Sequence, residues 1–471
     1  MLMVYLVIIF QSLLLILKRR KICLNLMKTL LALARNLLCD TCVNLLESLS
    51  KIIFSQEFLE NSRQEPSHFI RNRILFFPYI ILFFCNFIKS SYQTELNKFF
   101  NIFSRGSVAL QEVSKVALCK ARKKIKHEAF LILNEHATTF FYANFSPLTW
   151  KGLFLRAIDG STVQLPNEPD IADHFGAWNP RQGDPCTMAR ISQMFDPLNH
   201  ITVDAIISPK SIGERDLAAQ HFQQLRTGEL LLLDRGYPAF WLFKMILTKG
   251  ANFCSRISIS RWHIVRDFID SGKQEEIIVL TPPTTAFQSC NRYGLDTTPM
   301  TLRLIRIELE TGESEVLITS LTDVDIYPMD EFAELYITRW PVEEDYKIIK
   351  RRIEVENFTG KSKLSVYQDF HARVFSKNIT AMLTFAAQKD AAREISTQNE
   401  PNKKINSTQA LSTMRDTVVL LLCGTSLQIK KMVSDLFTTF LKATEPIRPG
   451  RKYLRNHKAK RKFYINYKPI L

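Results

Sequence analysis

Hydrophobic positions fall into three textures along the chain. Up to about residue 150 they recur at helical spacing, broken by short polar turns. The first stretch, "MLMVYLVIIFQSLLLIL", is uncharged and closed by "KRRK". It sits at the short end for a membrane span and lacks the basic start of a signal peptide. A buried helix or an N-terminal extension is predicted there, with a membrane anchor over residues 1–17 as the alternative. A second apolar run, Ile74 to Ile88, contains Pro78 and is too short to span comfortably.

From Trp150 the pattern turns to β. "LFLRAIDGSTVQL" reads as a strand that breaks at Asp159, "ARISQMFD" and "ITVDAIISPK" as a hairpin around "PLNH", and "ELLLLDRGY" as a fully apolar strand ending at Asp234. "ERDLAAQHFQQL" and "WLFKMILTKG" read as the intervening helices, the first with acids in its opening turn, as the helix dipole prefers. Residues 251–325 are strand-rich. At Asp330 helical spacing returns and runs to about Gln388. A polar stretch from Lys389 to Gln409 then reads as a linker. The predicted division is an apolar and basic helical extension over 1–62, a helical domain over 63–150, a mixed α/β domain over 151–390, and a linker, helical region and basic tail over 391–471.

Charge narrows the partners. Lys and Arg number 62 against 46 acids, a formal charge of +16, which favours nucleic acid or an anionic surface. The tail beyond Arg448 interleaves Lys and Arg with Tyr453, Phe463, Tyr464 and Tyr467, a mix suited to phosphates and bases. The basic segment from Ser114 to Phe130 follows a turn. It is either a solvated face or a helix-turn-helix reader of DNA. Nine scattered cysteines, with only Cys39 and Cys42 close together, argue for reduced thiols and against a zinc knuckle.

Two aspartates occupy positions where α/β sheets bind ligands, just beyond strand ends. Taken singly, Asp159 reads as a turn residue before Gly160, and Asp234 as a cap or an Arg-paired surface acid. With a third acid on a later helix they suggest a carboxylate cage for Mg²⁺ or Mn²⁺, cations that take oxygen ligands.

The third acid comes from "YITRWPVEEDYKIIKRR", Tyr336 to Arg352. At about 100° per residue, Tyr336, Arg339, Glu343 and Lys350 fall within an arc of roughly 60°. Glu344 and Asp345 turn away from it and balance neighbouring charge. Pro341 either kinks this helix or starts a new one, in which case Glu343 lies in the first turn.

These residues resemble the insertion-sequence-4 family of DDE transposases. The family signature is Tyr, two residues, Arg, three residues, Glu, six residues, Lys, and it falls on Tyr336, Arg339, Glu343 and Lys350. "AIDGST" and "LLDRGY" match the surroundings of the family's two aspartates, and the similarity spans about residues 65 to 390. The resemblance implies a ribonuclease-H-like mixed sheet with a β-rich insertion at about 251–325, preceded by a helical DNA-binding region. It implies Asp159, Asp234 and Glu343 as catalytic ligands of two Mg²⁺ or Mn²⁺ ions, with Tyr336, Arg339 and Lys350 on DNA phosphates. The implied activity is cleavage and strand transfer at terminal inverted repeats by a homodimer on double-stranded DNA. The implied location is the bacterial cytoplasm, at the nucleoid, with no membrane. A remnant that binds DNA ends without cutting is the alternative, beside the anchored protein above. The apolar extension before about residue 60 has no recognised counterpart in the family.

Overall fold

The computed structural model describes residues 21–71, 73–104, 112–178, 185–308, 312–395 and 403–447. The candidate anchor at 1–17 and the basic tail beyond Arg448 lie outside them. Among the described residues no helix is long and apolar enough to cross a membrane.

Among the described residues six helices come first: α1 (Lys21–Ile53), α2 (Gln56–Ser62), α3 (Phe77–Cys85), α4 (Tyr92–Ser104), α5 (Lys115–Arg122) and α6 (Glu128–Asn144). Pro78 lies in the first turn of α3, where its missing N–H costs nothing, and Phe77 and Ile80 to Cys85 of that apolar run are buried, whereas Ile74 is exposed. The basic segment divides into α5, capped by Ser114, and the start of α6. Lys115, Lys120, Lys123 and Lys124 are exposed, whereas Arg122 is buried.

A single nine-stranded sheet follows. It contains β1 (Phe154–Gln164), β2 (Ala177–Trp178), β3 (Cys186–Asp196), β4 (Ile201–Pro209), β5 (Glu229–Leu233), β6 (Asn252–Ile257), β7 (Glu275–Leu280), β8 (Met300–Glu308) and β9 (Ser314–Thr319). Along the sheet the order is β2-β3-β1-β5-β6-β9-β8-β7, with β4 also paired to β3. β1, β5 and β6 run parallel and the other pairs antiparallel. The strands after β6 thus extend the same sheet. Helix α7 (Pro169–Phe175) lies between β1 and β2, α8 (Glu214–His221) between β4 and β5, and α9 (Phe240–Thr248) between β5 and β6. Two more, α10 (His263–Asp270) and α11 (Ala286–Tyr293), flank β7.

The strand at Asp159 does not break there. β1 runs on to Gln164 because β3 stays paired with it, although the parallel partner β5 stops opposite Ile158. The second correction concerns the helix predicted from Asp330 to Gln388. It is three pieces: α12 (Phe332–Ile337), α13 (Pro341–Lys347) with a π-helical turn over Ile348–Arg352, and α14 (Lys363–Ile395). α14 absorbs the start of the expected linker, because "KDAAREI" holds no Gly or Pro to stop a helix. Beyond lie β10 (Lys403–Ile405), α15 (Ser407–Met414), α16 (Thr417–Cys423), α17 (Ser426–Lys442) and β11 (Thr444–Pro446), with β10 and β11 paired.

Both faces of the sheet are covered. The N- and C-terminal helices and α14 share one core with Ala157, Val163, Ile191 and Phe195. Residues of α8 and α9 pack on the opposite face against Ile158, Leu231 and Leu233, while α12 closes over Leu155, Leu230 and Leu232. Cys39, Cys42, Cys85, Cys254 and Cys290 are buried free thiols.

Candidate active site

The five residues of β5 are all buried, so the strand is apolar on both faces. Alternate side chains separate: Leu230 and Leu232 meet α12, Leu231 and Leu233 the other face. Asp234 follows immediately. β1 shows the same parity, with Leu155 on the α12 face and Ile158 opposite. Ile158 pairs with Leu233, so Asp159 and Asp234 stand one rung beyond the last pair of the parallel ladder, on the face covered by α12.

The turn after Asp234 fixes its carboxylate. The Gly236 N–H donates to Asp234 Oδ1 at 2.8 Å, and a Cβ on residue 236 would lie 3.1 Å from that oxygen. Glycine therefore permits this close approach. Arg215 donates to the carbonyls of Gly236 and Pro238 at 3.0 and 2.9 Å and holds the turn.

Pro341 settles the geometry of the third acid. α12 ends at Ile337, and the proline opens α13. Glu343 lies in the first turn of α13, where an acid is favoured. Its Oε1 accepts from Arg339 Nη2 at 2.8 Å. That guanidinium is largely buried, whereas 41% of the Glu343 side chain is exposed.

Burial, first of all, pushes the Asp159 carboxyl up to about 6; the charges of Asp234 and Glu343 push the same way, and Arg339 and the Gly160 N–H oppose them. The three predicted acids thus share one electrostatic neighbourhood. They are all-oxygen donors, which is the donor chemistry a hard divalent cation takes. Among the described residues no three His, Cys, Asp or Glu side chains are close enough to grip an ion as they stand. Glu343 is turned to Arg339 instead.

The other signature residues make internal bonds beside the acids. The Tyr336 hydroxyl donates to the carbonyl of Leu233, directly before Asp234, at 3.3 Å. Lys350 Nζ donates to Ser161 Oγ and to the Thr162 carbonyl, both at 2.7 Å, directly after Asp159 and Gly160. Helix and strands are therefore tied together at the acids. Tyr346, unremarked in the sequence, adds a hydroxyl donated to the Asp159 carbonyl at 2.7 Å; its place one turn beyond Glu343 was the available signal. Glu344 pairs with Lys347 on the surface, but Asp345 is buried against Lys377 at 2.6 Å.

Ser192, His221 and Asp204 form a chain under β1. His221 Nδ1 lies 2.7 Å from Asp204 Oδ2 and its Nε2 3.0 Å from Ser192 Oγ, which reaches the Asp159 carbonyl at 3.4 Å. The order copies a hydrolytic triad. Ser192 and His221 are fully buried, however, so the chain braces β1 and offers no nucleophile to a substrate.

Residues 151–379 match the family model described as the transposase DDE domain. By this segment the chain is similar to the DDE transposases. The match takes in Asp159, Asp234 and Glu343, and the family generally uses divalent metal ions. Transposase InsG for insertion sequence element IS4, from Escherichia coli strain K12, is 26% identical over 257 residues, covering 53% of this chain and 56% of that protein. Putative transposase InsZ of the same strain is 20% identical over 166 residues, covering 35% of this chain and 54% of that protein. The chain spans about half the length of these curated relatives. A piggyBac transposase synaptic complex with hairpin DNA aligns at TM-score 0.37 and 9% identity over 90% of this chain and 87% of that one, too distant a likeness to carry weight.

Proposed function

We propose that this protein is the transposase of an insertion sequence, which binds terminal inverted repeats and catalyses metal-dependent DNA cleavage and strand transfer. The observation that carries the reading is the DDE domain's paired strand ends, with Asp159 and Asp234 one rung past Ile158 and Leu233 and the charge of Glu343 acting on Asp159. The strand arrangement β4-β3-β1-β5-β6, with β1, β5 and β6 parallel and β3 antiparallel, supports a ribonuclease-H-like core within 151–390. The exposed lysines of α5 support a DNA-binding role for 63–150. The remaining parts of the reading are the 1–62 extension, a C-terminal region over 391–471, a homodimer at paired DNA ends, and the bacterial cytoplasm and nucleoid as location.

In this reading Asp159, Asp234 and Glu343 would hold two Mg²⁺ or Mn²⁺ ions, Glu343 exchanging its bond to Arg339 for them. When bound, such ions activate the attacking oxygen and stabilise the leaving one. The chain's own part is placement. Tyr346, Ser192 and Lys350 fix β1 around Asp159, Gly236 fixes the Asp234 carboxylate, and Arg339 keeps Glu343 aligned until it turns to the site. Arg339, Tyr336 and Lys350 then face DNA phosphates beside the acids.

The test is incubation of the purified full chain with a duplex carrying its own flanking inverted repeats. Strand cleavage at the repeat ends is expected with Mg²⁺ or Mn²⁺ and none in EDTA. Binding without cleavage under every metal condition would mark a remnant and defeat the proposal.

Lys350 supplies a separate check. Lys350→Ala removes one phosphate partner and two bonds to β1, and should lower cleavage about tenfold to a hundredfold. The slope of end-binding affinity against salt should fall by about one counterion. An unchanged salt slope in a gel-shift series would remove Lys350 from the phosphate contacts.

A further inference from the structure

Glu214 is the first residue of α8, where the sequence shows only an acid suited to the helix dipole. Its side chain lies along β1: a Cβ at Gly160 would stand 3.3 Å from its Cγ and 3.4 Å from its Cδ. The glycine next to Asp159 therefore leaves the space that this carboxylate occupies. Glu214 pairs loosely with Arg190 at 3.9 Å, and 52% of its side chain is exposed. It approaches β1 from the face opposite α12, since α8 packs with Ile158 and Leu233.

A second observation points to the same place. Tyr237, three residues after Asp234, is 2% exposed, and its hydroxyl has no hydrogen-bond partner among the described residues. The acids whose charges bear on that hydroxyl are Asp159, Glu214 and Asp234. A buried donor that feels three carboxylates and is bonded to no protein group is able to orient an acid toward a shared ligand.

We infer that Glu214 is a fourth carboxylate of the metal site, with the buried Tyr237 hydroxyl as the positioning donor that orients the acids once a divalent cation is held. The inference rests on the transposase reading of Asp159, Asp234 and Glu343. It deepens that reading by adding a ligand from the opposite face of the sheet.

Isothermal titration of the purified full chain with Mn²⁺ alone, without DNA, tests it. Glu214→Gln keeps the size of the side chain and should weaken Mn²⁺ binding about tenfold or more, as Asp159→Asn should, with thermal unfolding of the metal-free protein unchanged. Tyr237→Phe should weaken Mn²⁺ binding about tenfold without lowering metal-free stability, because no protein hydrogen bond is lost. A merely structural tyrosine would leave Mn²⁺ affinity alone. Parental Mn²⁺ affinity in Glu214→Gln, with Asp159→Asn impaired, overturns the fourth ligand and leaves the three-acid reading in place. Parental affinity in both variants overturns the two together.

Discussion

Asp234→Asn should lower single-turnover cleavage of the element's ends about a thousandfold or more, equivalent to about 4 kcal/mol of lost transition-state stabilisation. The substitution keeps the shape of the side chain and an oxygen for the Gly236 N–H to reach at 2.8 Å. What it removes is one negative charge at the end of β5, partly open to solvent. Binding to the inverted repeats, measured by gel shift without metal, should stay within about threefold of the parent, since Asp234 opposes rather than attracts phosphate. Asp159→Asn should cut equally poorly, and its thermal midpoint should not fall. Burial and two neighbouring acids already hold that carboxyl up at about 6, so neutralising it relieves the metal-free fold. Loss of cleavage with retained binding and stability is the signature of a metal ligand. Cleavage at the parental rate in Asp234→Asn would remove it from the chemistry.

The candidate acids stand out in the sequence because two fall where apolar strands read as ending and the third shares a helical face with Tyr336, Arg339 and Lys350. "ELLLLD" announces a doubly buried strand whose next residue must leave the core, and the interval from Tyr336 to Lys350 singles out one acid of three. Pairing was harder to foresee. Nothing local to "AIDGST" says that β3 continues to hold β1 after β5 has ended, so the strand reads as stopping at Asp159 when it runs on to Gln164. Pro341 left two helical geometries open, and only the packing of α12 against β5 selects the one in which α13 begins afresh. Glu214, Tyr237 and Asp345 were opaque for the same reason. Their meaning lies in what faces them across the sheet or from α14, and a sequence window carries none of that. Arg122 shows the opposite error, a residue counted with its lysine neighbours as part of a charged face.

Arg122→Met should destabilise the fold by about 3–5 kcal/mol, read as a lower urea midpoint at constant slope. The guanidinium leaves α5 for the interior and meets Asp369 of α14 at 2.7 Å, with both side chains almost wholly buried. It also donates to Gln368 Oε1 at 2.5 Å, to Thr359 Oγ1 at 2.8 Å and to the Ser365 carbonyl at 2.7 Å. Burial alone would raise the Asp369 carboxyl, but Arg122, then Arg373 and the Thr359 bonds, hold it below its ordinary value. The pair's contribution is therefore present above the unfolded aspartate pKa, near 3.9, and is lost as pH falls through the lower folded value. Removing Arg122 raises the folded pKa of Asp369, so at acidic pH the variant's native state binds a proton that the parent's does not. The stability gap between variant and parent should thus narrow as pH is lowered from 7 toward 4. Replacing both partners, Arg122→Met with Asp369→Leu, should recover part of the loss, because no charge is left buried alone. A gap that stays constant with pH would mean that packing, not the ion pair, joins α5 to the helix behind the active site.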